Sequence, residues 1–185
     1  MEIIHPDILR KAALQLHNEV NWEAHPCRKG RGMCCEGATP VTKYDQGIIM
    51  QGVKSRDVSR KTIKLAARRA RVDKTKCGFL DEERQCVIYP FRPIMCIMTG
   101  VGGLPNKLHP EVVDAIELFL SGGPDVEVPT GKLVTSMCPD CAKQLTNEGA
   151  TISTSTIVVY NQAMLHYGQN PYKTMNNFIP LLNHR

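Results

Sequence analysis

The sequence predicts a mainly α fold, in which helices form a single compact domain around a cysteine-rich centre built from loops. Apolar residues recur at helical spacing in several segments, whereas the eight cysteines fall among glycines and prolines that interrupt those segments. A chain of 185 residues is also long enough to bury most of its apolar surface without disulfides. We therefore predict one domain over residues 1–185.

The first helix is predicted over residues 6–20. Pro6 stands at a helix-start position with Asp7 in the first turn, and apolar residues follow at four-residue spacing, namely Ile8, Ala12, Leu16 and Val20. Proline, glycine and cysteine break this pattern over residues 25–40, where we expect a loop. A short helix is predicted over residues 42–51.

A basic helix is predicted to start from Ser55, which is a capping residue type. One side of it is apolar, with Val58, Ile63, Ala66, Ala67 and Ala70, and another side carries Lys61, Lys64, Arg68 and Arg71. Residues 54–76 contain ten Lys/Arg and two Asp, a local charge of +8, so the rest of the +5 chain sums to −3. Such a face either binds an acidic partner or nucleic acid, or is simply solvated.

The stretch after this helix is predicted to be a stiff loop that presents Cys86 and Cys96. Pro90 and Pro93 restrict the backbone there and forbid a continuous helix or a central strand. Further helices are predicted over residues 110–120, where Ser-Gly-Gly-Pro follows, and over residues 157–167 and 171–179.

Clustered cysteines indicate a metal site. A lone cysteine is usually a small buried hydrophobe, but here a Cys-Cys pair, a Cys-x2-Cys pair and a three-cysteine stretch all lie in glycine- or proline-containing loops. Four thiolates complete a tetrahedral zinc site or hold a [4Fe–4S] cluster, so eight are enough for one or two centres. The predicted ligands are Cys27, Cys34, Cys35, Cys77, Cys86, Cys96, Cys138 and Cys141.

The order of these cysteines resembles a known family. The series Cys77-x-Phe-Leu, Cys86-x-Ile-Tyr and Arg92-Pro-x-x-Cys96, preceded by Cys34-Cys35 and followed by Cys138-Pro, is similar to the bacterial YkgJ-like family of zinc- or iron-chelating domains. The resemblance runs from about Cys27 to Cys138 and implies that the cysteines chelate metal.

Two positions depart from the family pattern. Its opening motif is Cys-x2-Cys-x3-Cys-Cys, and Gly30 stands where the second cysteine belongs; Ile97 follows Cys96 where the family has Arg. The resemblance therefore implies one missing ligand. Cys141, which forms a Cys-x2-Cys pair with Cys138, is our candidate to replace it. We expect Tyr89 and Arg92 to orient the ligands from the second shell.

The leading interpretation is a protein that binds zinc, or alternatively an iron–sulfur cluster. A second hypothesis is an iron–sulfur enzyme, because the family pattern has a relative in flagellin lysine N-methylases, and the basic helix would then hold an anionic cosubstrate. A third is an adaptor for nucleic acid or protein, with a structural zinc. No Ser/His/Asp set or paired carboxylates point to hydrolytic catalysis.

The sequence also predicts a cytoplasmic protein. No run of about 18 apolar residues and no signal peptide is visible. Eight cysteines in a reducing compartment are expected to stay unpaired and available to metal.

Overall fold

The computed structural model describes residues 4–19, 35, 37–99, 105–108, 110–129, 133–135, 149 and 151–184. These residues are mainly helical, which confirms the predicted fold class. The chain divides into two compact units, Met1–Cys27 with Ile97–Leu165, and Arg28–Cys96 with His166–Arg185. One domain over residues 1–185 stays a prediction. None of the helices in the described part is long and apolar enough to span a membrane.

The helices are, in chain order, α1 Pro6–Glu19, α2 Lys43–Lys54, α3 Arg60–Val72, α4 Ile94–Met98, α5 Pro110–Leu120, α6 Thr154–Gln169 and α7 Met175–Phe178. Two 3₁₀ helices add Tyr89–Phe91 and Ile179–His184. The strands are β1 Pro40–Thr42, β2 Pro105–Leu108, β3 Glu127–Pro129, β4 Leu133–Thr135, β5 Thr151–Ser153 and β6 Tyr172–Thr174. They form three antiparallel pairs, β1–β6, β2–β4 and β3–β5. Val41 stands opposite Lys173, and Val128 opposite Ile152.

Four predicted helices are confirmed as α1, α2, α5 and α6. After α5 the backbone reverses at Gly122, whose φ of +86° favours glycine, and Gly123 N–H donates to Leu118 O at 2.8 Å. The segment around Cys138 and Cys141, predicted to open a helix, lies outside the described residues.

The start of the basic helix was predicted too early. Ser59, not Ser55, caps α3, because its side chain accepts the N–H of Thr62 at 3.1 Å. Ser55 instead ends α2, where its N–H donates to Gln51 O. The left-handed backbone at Arg56, with a φ of 67°, then separates the two helices.

The prediction of a helix over residues 171–179 was wrong in its first half. Tyr172–Thr174 form strand β6 and only Met175–Phe178 form a helix. The cause is tertiary, because β6 pairs with β1 at Pro40–Thr42, far away in the sequence.

The unit that contains α3 has an apolar core under its cysteines. Ala66, Ala67 and Ala70 of α3 are buried there with Phe79 and Ile88. Gly78 approaches this helix so closely that an added Cβ would lie 2.4 Å from the carbonyl oxygen of Ala66. The small face of α3 thus lets the cysteine-bearing chain pack directly on the helix backbone.

The other unit has an apolar cluster to which α5, α6 and the β3–β5 pair contribute. Val112, Val128, Ile152 and Ile157 are buried together. The carboxylate of Asp125 accepts the N–H of Ser155 at 3.0 Å and its hydroxyl at 2.8 Å, which satisfies the start of α6.

Candidate metal centre

Cys77 and Cys86 occupy the same kind of turn. The carbonyl of Cys77 accepts the N–H of Leu80 at 3.1 Å, and the carbonyl of Cys86 accepts the N–H of Tyr89 at 3.2 Å. In each turn, hydrogen bonding by the backbone two residues further on, at Phe79 and Ile88 respectively, acts to lower the pKa of the thiol. One local structure therefore occurs twice.

The two turns are joined to each other. Leu80 and Cys86 form an antiparallel bridge, and Val87 N–H donates to Phe79 O at 3.0 Å. The loop between them is closed by Asp81, whose carboxylate accepts the N–H of Gln85 at 2.7 Å. Backbone hydrogen bonds therefore fix the positions of Cys77 and Cys86 relative to each other.

Cys96 does not lie on the predicted loop but in helix α4. Pro93 immediately precedes this helix, where its missing N–H and fixed φ cost nothing, so the proline starts a helix instead of preventing one. The expectation that both Cys86 and Cys96 are presented by a loop is correct for Cys86 only.

The thiols of these three cysteines share a desolvated environment. Burial raises the pKa of Cys77 to about 12, raises the pKa of Cys86, and raises the pKa of Cys96 well above its usual range. The charges of Cys77 and Cys86 contribute to the increase at Cys96. Thiols of this kind stay protonated until a cation replaces their protons, and a metal ion does so.

Arg92 contacts Tyr89 and acts on two of these cysteines, whereas a role of either residue in orienting metal ligands stays a prediction. The buried guanidinium of Arg92 stacks over the Tyr89 ring, with Cζ 3.6 Å from the ring centroid. Its charge acts against burial and lowers the pKa of both Cys86 and Cys96. Arg92 thereby favours the thiolate forms that a metal needs.

Cys35 is backbone-paired with Cys77, because its carbonyl accepts the Cys77 N–H at 2.9 Å. Of the other predicted ligands, Cys27, Cys34, Cys138 and Cys141 lie outside the described residues, and so does Gly30. Within the described part of the chain, no three His, Cys, Asp or Glu side chains form a group that could hold a metal ion. A shared centre for Cys77, Cys86 and Cys96 remains a prediction.

A side chain that the sequence did not single out, Asn176, holds the segment before Cys77. Its amide nitrogen donates to the carbonyls of Lys76, Asp73 and Lys74 at 2.7, 3.2 and 3.4 Å. Its amide oxygen accepts the N–H of Gly78 at 3.0 Å. Asn176 therefore fixes the backbone on both sides of Cys77.

Asp45 plays the corresponding role for Cys96. This fully buried carboxylate accepts hydrogen bonds from the Thr42 N–H and hydroxyl at 3.0 and 2.8 Å, and from the Tyr167 hydroxyl at 2.7 Å. Its other oxygen accepts the N–H of Ile94, the first residue of α4, at 3.1 Å. Tyr167 Oη also accepts the Met95 N–H at 3.3 Å. The first turn of α4, and Cys96 with it, is anchored to a buried charge.

The sequence carried a signal for Asp45 but none for Asn176. Thr42-x-x-Asp45 is a capping-box pattern, and the structure shows both of its hydrogen bonds. The burial of Asp45 and its hydrogen bond to α4 depend on Ile94 and Tyr167, which lie 49 and 122 positions further along the chain. Asn176 binds backbone atoms of residues about a hundred positions earlier, and backbone atoms leave no pattern in the sequence.

Comparison with known proteins identifies one family. The model of a family described as a putative zinc- or iron-chelating domain, CxxCxxCC, matches residues 6–109, which is more than half of the chain. The matched range includes six cysteines and ends before Cys138 and Cys141. Neither the search of curated proteins nor that of solved structures gave a match.

Proposed function

The chain belongs to the family of zinc- or iron-chelating domains, and from this premise we propose that it binds zinc through Cys77, Cys86 and Cys96. The observation that carries the proposal is the repeated turn at Cys77 and Cys86, in which backbone hydrogen bonding acts to lower the pKa of each thiol against burial. Such bonds compensate the negative charge of metal-bound thiolates and aim both sulfurs without side-chain help.

The donor type suits a soft metal ion. Three partly buried cysteines with interacting charges supply three soft ligands, and a tetrahedral site needs a fourth. Cys35 is the described candidate for that position, since its backbone is bonded to Cys77. The same four sulfurs would suit a [4Fe–4S] cluster, which is the alternative to zinc.

The remaining cysteines complete the proposal. Cys27 and Cys34 belong to the opening motif, and Cys138 and Cys141 form the Cys-x2-Cys pair, in which Cys141 replaces the ligand missing at Gly30. Thiolates of this kind persist in a reducing compartment, so we place the protein in the cytoplasm.

Metal analysis after anaerobic purification tests the metal and its ligands. We expect one or two zinc ions per chain, a colourless protein, and loss of zinc in Cys77→Ser, Cys86→Ser and Cys96→Ser, because a hydroxyl is a poor ligand for zinc. A brown protein that contains iron would contradict zinc and favour the iron–sulfur enzyme. Full zinc content in all three variants would contradict this ligand set.

The pair Cys138 and Cys141 provides a matched comparison. If Cys141 replaces the ligand missing at Gly30, Cys141→Ser lowers zinc retention under a chelator as much as Cys138→Ser does. If Cys141→Ser retains all its zinc while Cys138→Ser loses it, Cys141 is a bystander.

A second function, binding of an anionic partner such as nucleic acid, is supported by the basic face of α3. Its members, Lys61, Lys64, Arg68 and Arg71, are all exposed, and none forms an ion pair within the part of the chain that the structure describes. Changing all four to Glu should abolish salt-sensitive binding of duplex DNA and leave the metal content intact. Absence of DNA binding by the unchanged protein at low salt would favour a solvated face.

A further inference from the structure

A cleft of about 1110 Å³ opens between the second half of α3 and residues 73–84, within the unit that carries the cysteine turns. Cys35 and Cys77 both line it. Its volume is in the range of small-molecule sites, which commonly reach about 1000 Å³. The cleft is therefore large enough for a ligand and reaches the candidate metal ligands.

The charges around the cleft favour an anion. Five cations line it, Arg68, Arg69, Lys74, Lys76 and Arg84, against three carboxylates, Asp73, Asp81 and Glu82. None of these cations forms an ion pair with another residue that the structure describes. The positive side chains are thus available to a ligand.

Two of the three carboxylates are already occupied by the protein itself. Asp73 accepts the N–H and hydroxyl of Thr75 at 2.9 and 2.6 Å, and Asp81 accepts the N–H of Gln85 at 2.7 Å. Hydrogen bonds from neutral donors hold these carboxylates in place but leave their negative charge, so all three count against the five cations. The lining therefore keeps a net charge of +2, five cations against three carboxylates.

The cleft also has exposed apolar walls. Val72, the last residue of α3, is 82% exposed and Leu65, two turns earlier, is 41% exposed, while Leu80 is almost fully buried. Contact with these side chains would remove apolar surface from water. A ligand that gains from both features carries a negative group and an apolar portion.

We propose that this cleft binds a small organic anion, in which a carboxylate, phosphate or sulfonate group is joined to an apolar or aromatic portion, next to Cys35 and Cys77. An extended polyanion is less suited, because Lys61 and Lys64 of the basic face do not line the cleft. The proposal is independent of which metal the cysteines bind.

Fluorescence titration with anilinonaphthalene sulfonate, an aromatic anion, tests this site. The cleft variant is Lys74→Gln with Lys76→Gln, and the matched control is Lys61→Gln with Lys64→Gln, since all four lysines are exposed and each pair removes two charges. We expect the cleft variant to weaken binding by about tenfold and the control by less than about twofold. The neutral analogue phenylnaphthylamine should bind both variants equally.

Other results would overturn the proposal. Equal weakening of dye binding in the cleft variant and the control variant would show a response to net charge. If neither the cleft variant nor a further variant, Arg69→Gln, binds the dye more weakly than the unchanged protein, the cleft is excluded. Displacement of the dye by duplex DNA in all proteins except the Lys61/Lys64 variant would identify an extended polyanion instead. Zinc content is measured on the same samples. No dye binding by the unchanged protein with full zinc content refutes the cleft alone, and absence of zinc from the unchanged protein with normal dye binding refutes the metal proposal alone.

Discussion

The segment around Cys77 and the segment around Cys96 are fixed by different means, although both contain a candidate metal ligand. Residues 73–78 are held by the neutral amide of Asn176, which both donates and accepts. Helix α4 is held by the ionisable carboxyl group of Asp45, which only accepts when ionised. Neither residue is a candidate ligand, so the positions of these cysteines depend on side chains outside the candidate ligand set.

The two anchors, Asn176 and Asp45, differ in how well the groups that they bind could find another hydrogen-bond partner after their removal. An amide among backbone groups can be replaced in part by water, because residues 73–76 lie at the surface. A carboxylate with no exposed surface is tolerated only while its donors surround it, and those donors are equally buried. The Cys96 segment should therefore be the more sensitive to loss of its anchor.

The largest effect is expected for Asp45→Ala. This change leaves the hydroxyls of Thr42 and Tyr167 and the N–H of Ile94 without their acceptor, and should lower the free energy of unfolding by about 3–5 kcal/mol. Denaturant titration measures it. The exposed Asp114→Ala is the control and should change stability by less than about 0.5 kcal/mol. If Asp45→Ala and Asp114→Ala changed the free energy of unfolding by similar amounts, Asp45 would not be the more sensitive anchor.

A smaller loss, about 2–3 kcal/mol, is expected for Asn176→Ala, since the N–H of Gly78 and the carbonyl of Lys76 lose a buried partner. Asn177→Ala changes the exposed neighbour in the same helix and serves as control. Zinc retention under a chelator should fall in the first variant and not in the second. Unchanged retention in Asn176→Ala would show that the Cys77 segment keeps its position without this anchor.

Packing of the Cys77 segment on α3 gives a third prediction. In Gly78→Ala the new methyl would meet the backbone oxygen of Ala66 at 2.4 Å, so we expect a loss of about 1–3 kcal/mol in unfolding free energy. Gly47→Ala, in the middle of α2, meets nothing within 4 Å and should stabilise by about 0.5–1 kcal/mol. Thermal unfolding measures both variants. A change of Tm in the same direction for Gly78→Ala and Gly47→Ala would contradict this explanation.

The smallest effect is expected for the pH dependence of stability, through His166, which lies close to the Asp45 anchor. Burial lowers the pKa of His166, against the opposing charge of Asp45, and His166 Nε2 lies 3.3 Å from Thr42 Oγ1. The folded state therefore disfavours protonated His166, and stability that is present above pH 6.5 is lost as the pH falls through the lower folded-state value. His166→Gln should lose less stability between pH 7.5 and 5.5 than the unchanged protein. An equal loss would assign that pH dependence to other groups.

Local features of the structure could be predicted from the sequence, and features that depend on distant partners could not. Helices α1 and α5 follow from apolar spacing and terminal residues, because both are encoded within a few turns. Strand β6 was missed because its partner β1 is more than a hundred residues away. The same limit applies to Asn176.

The candidate site shows the same division. The order of the cysteines was sufficient to indicate the family, and the family model confirms it. The turn structure at Cys86 could be expected from its loop context, whereas the helix that bears Cys96 was missed, since Pro93 was interpreted only as a helix breaker. Grouping of the cysteines into one or two centres stays a prediction.

The hydrogen bond between Asn176 and Gly78 also has a consequence for biosynthesis. Gly78 is translated 98 residues before its partner, an interval of about 5 to 20 s at typical rates of synthesis. During the later part of that interval Cys77 has left the ribosome while the side chain that fixes its backbone does not yet exist. Metal taken up in this interval would meet a thiol whose backbone is not yet fixed, so stable loading should occur only after Asn176 has emerged and docked.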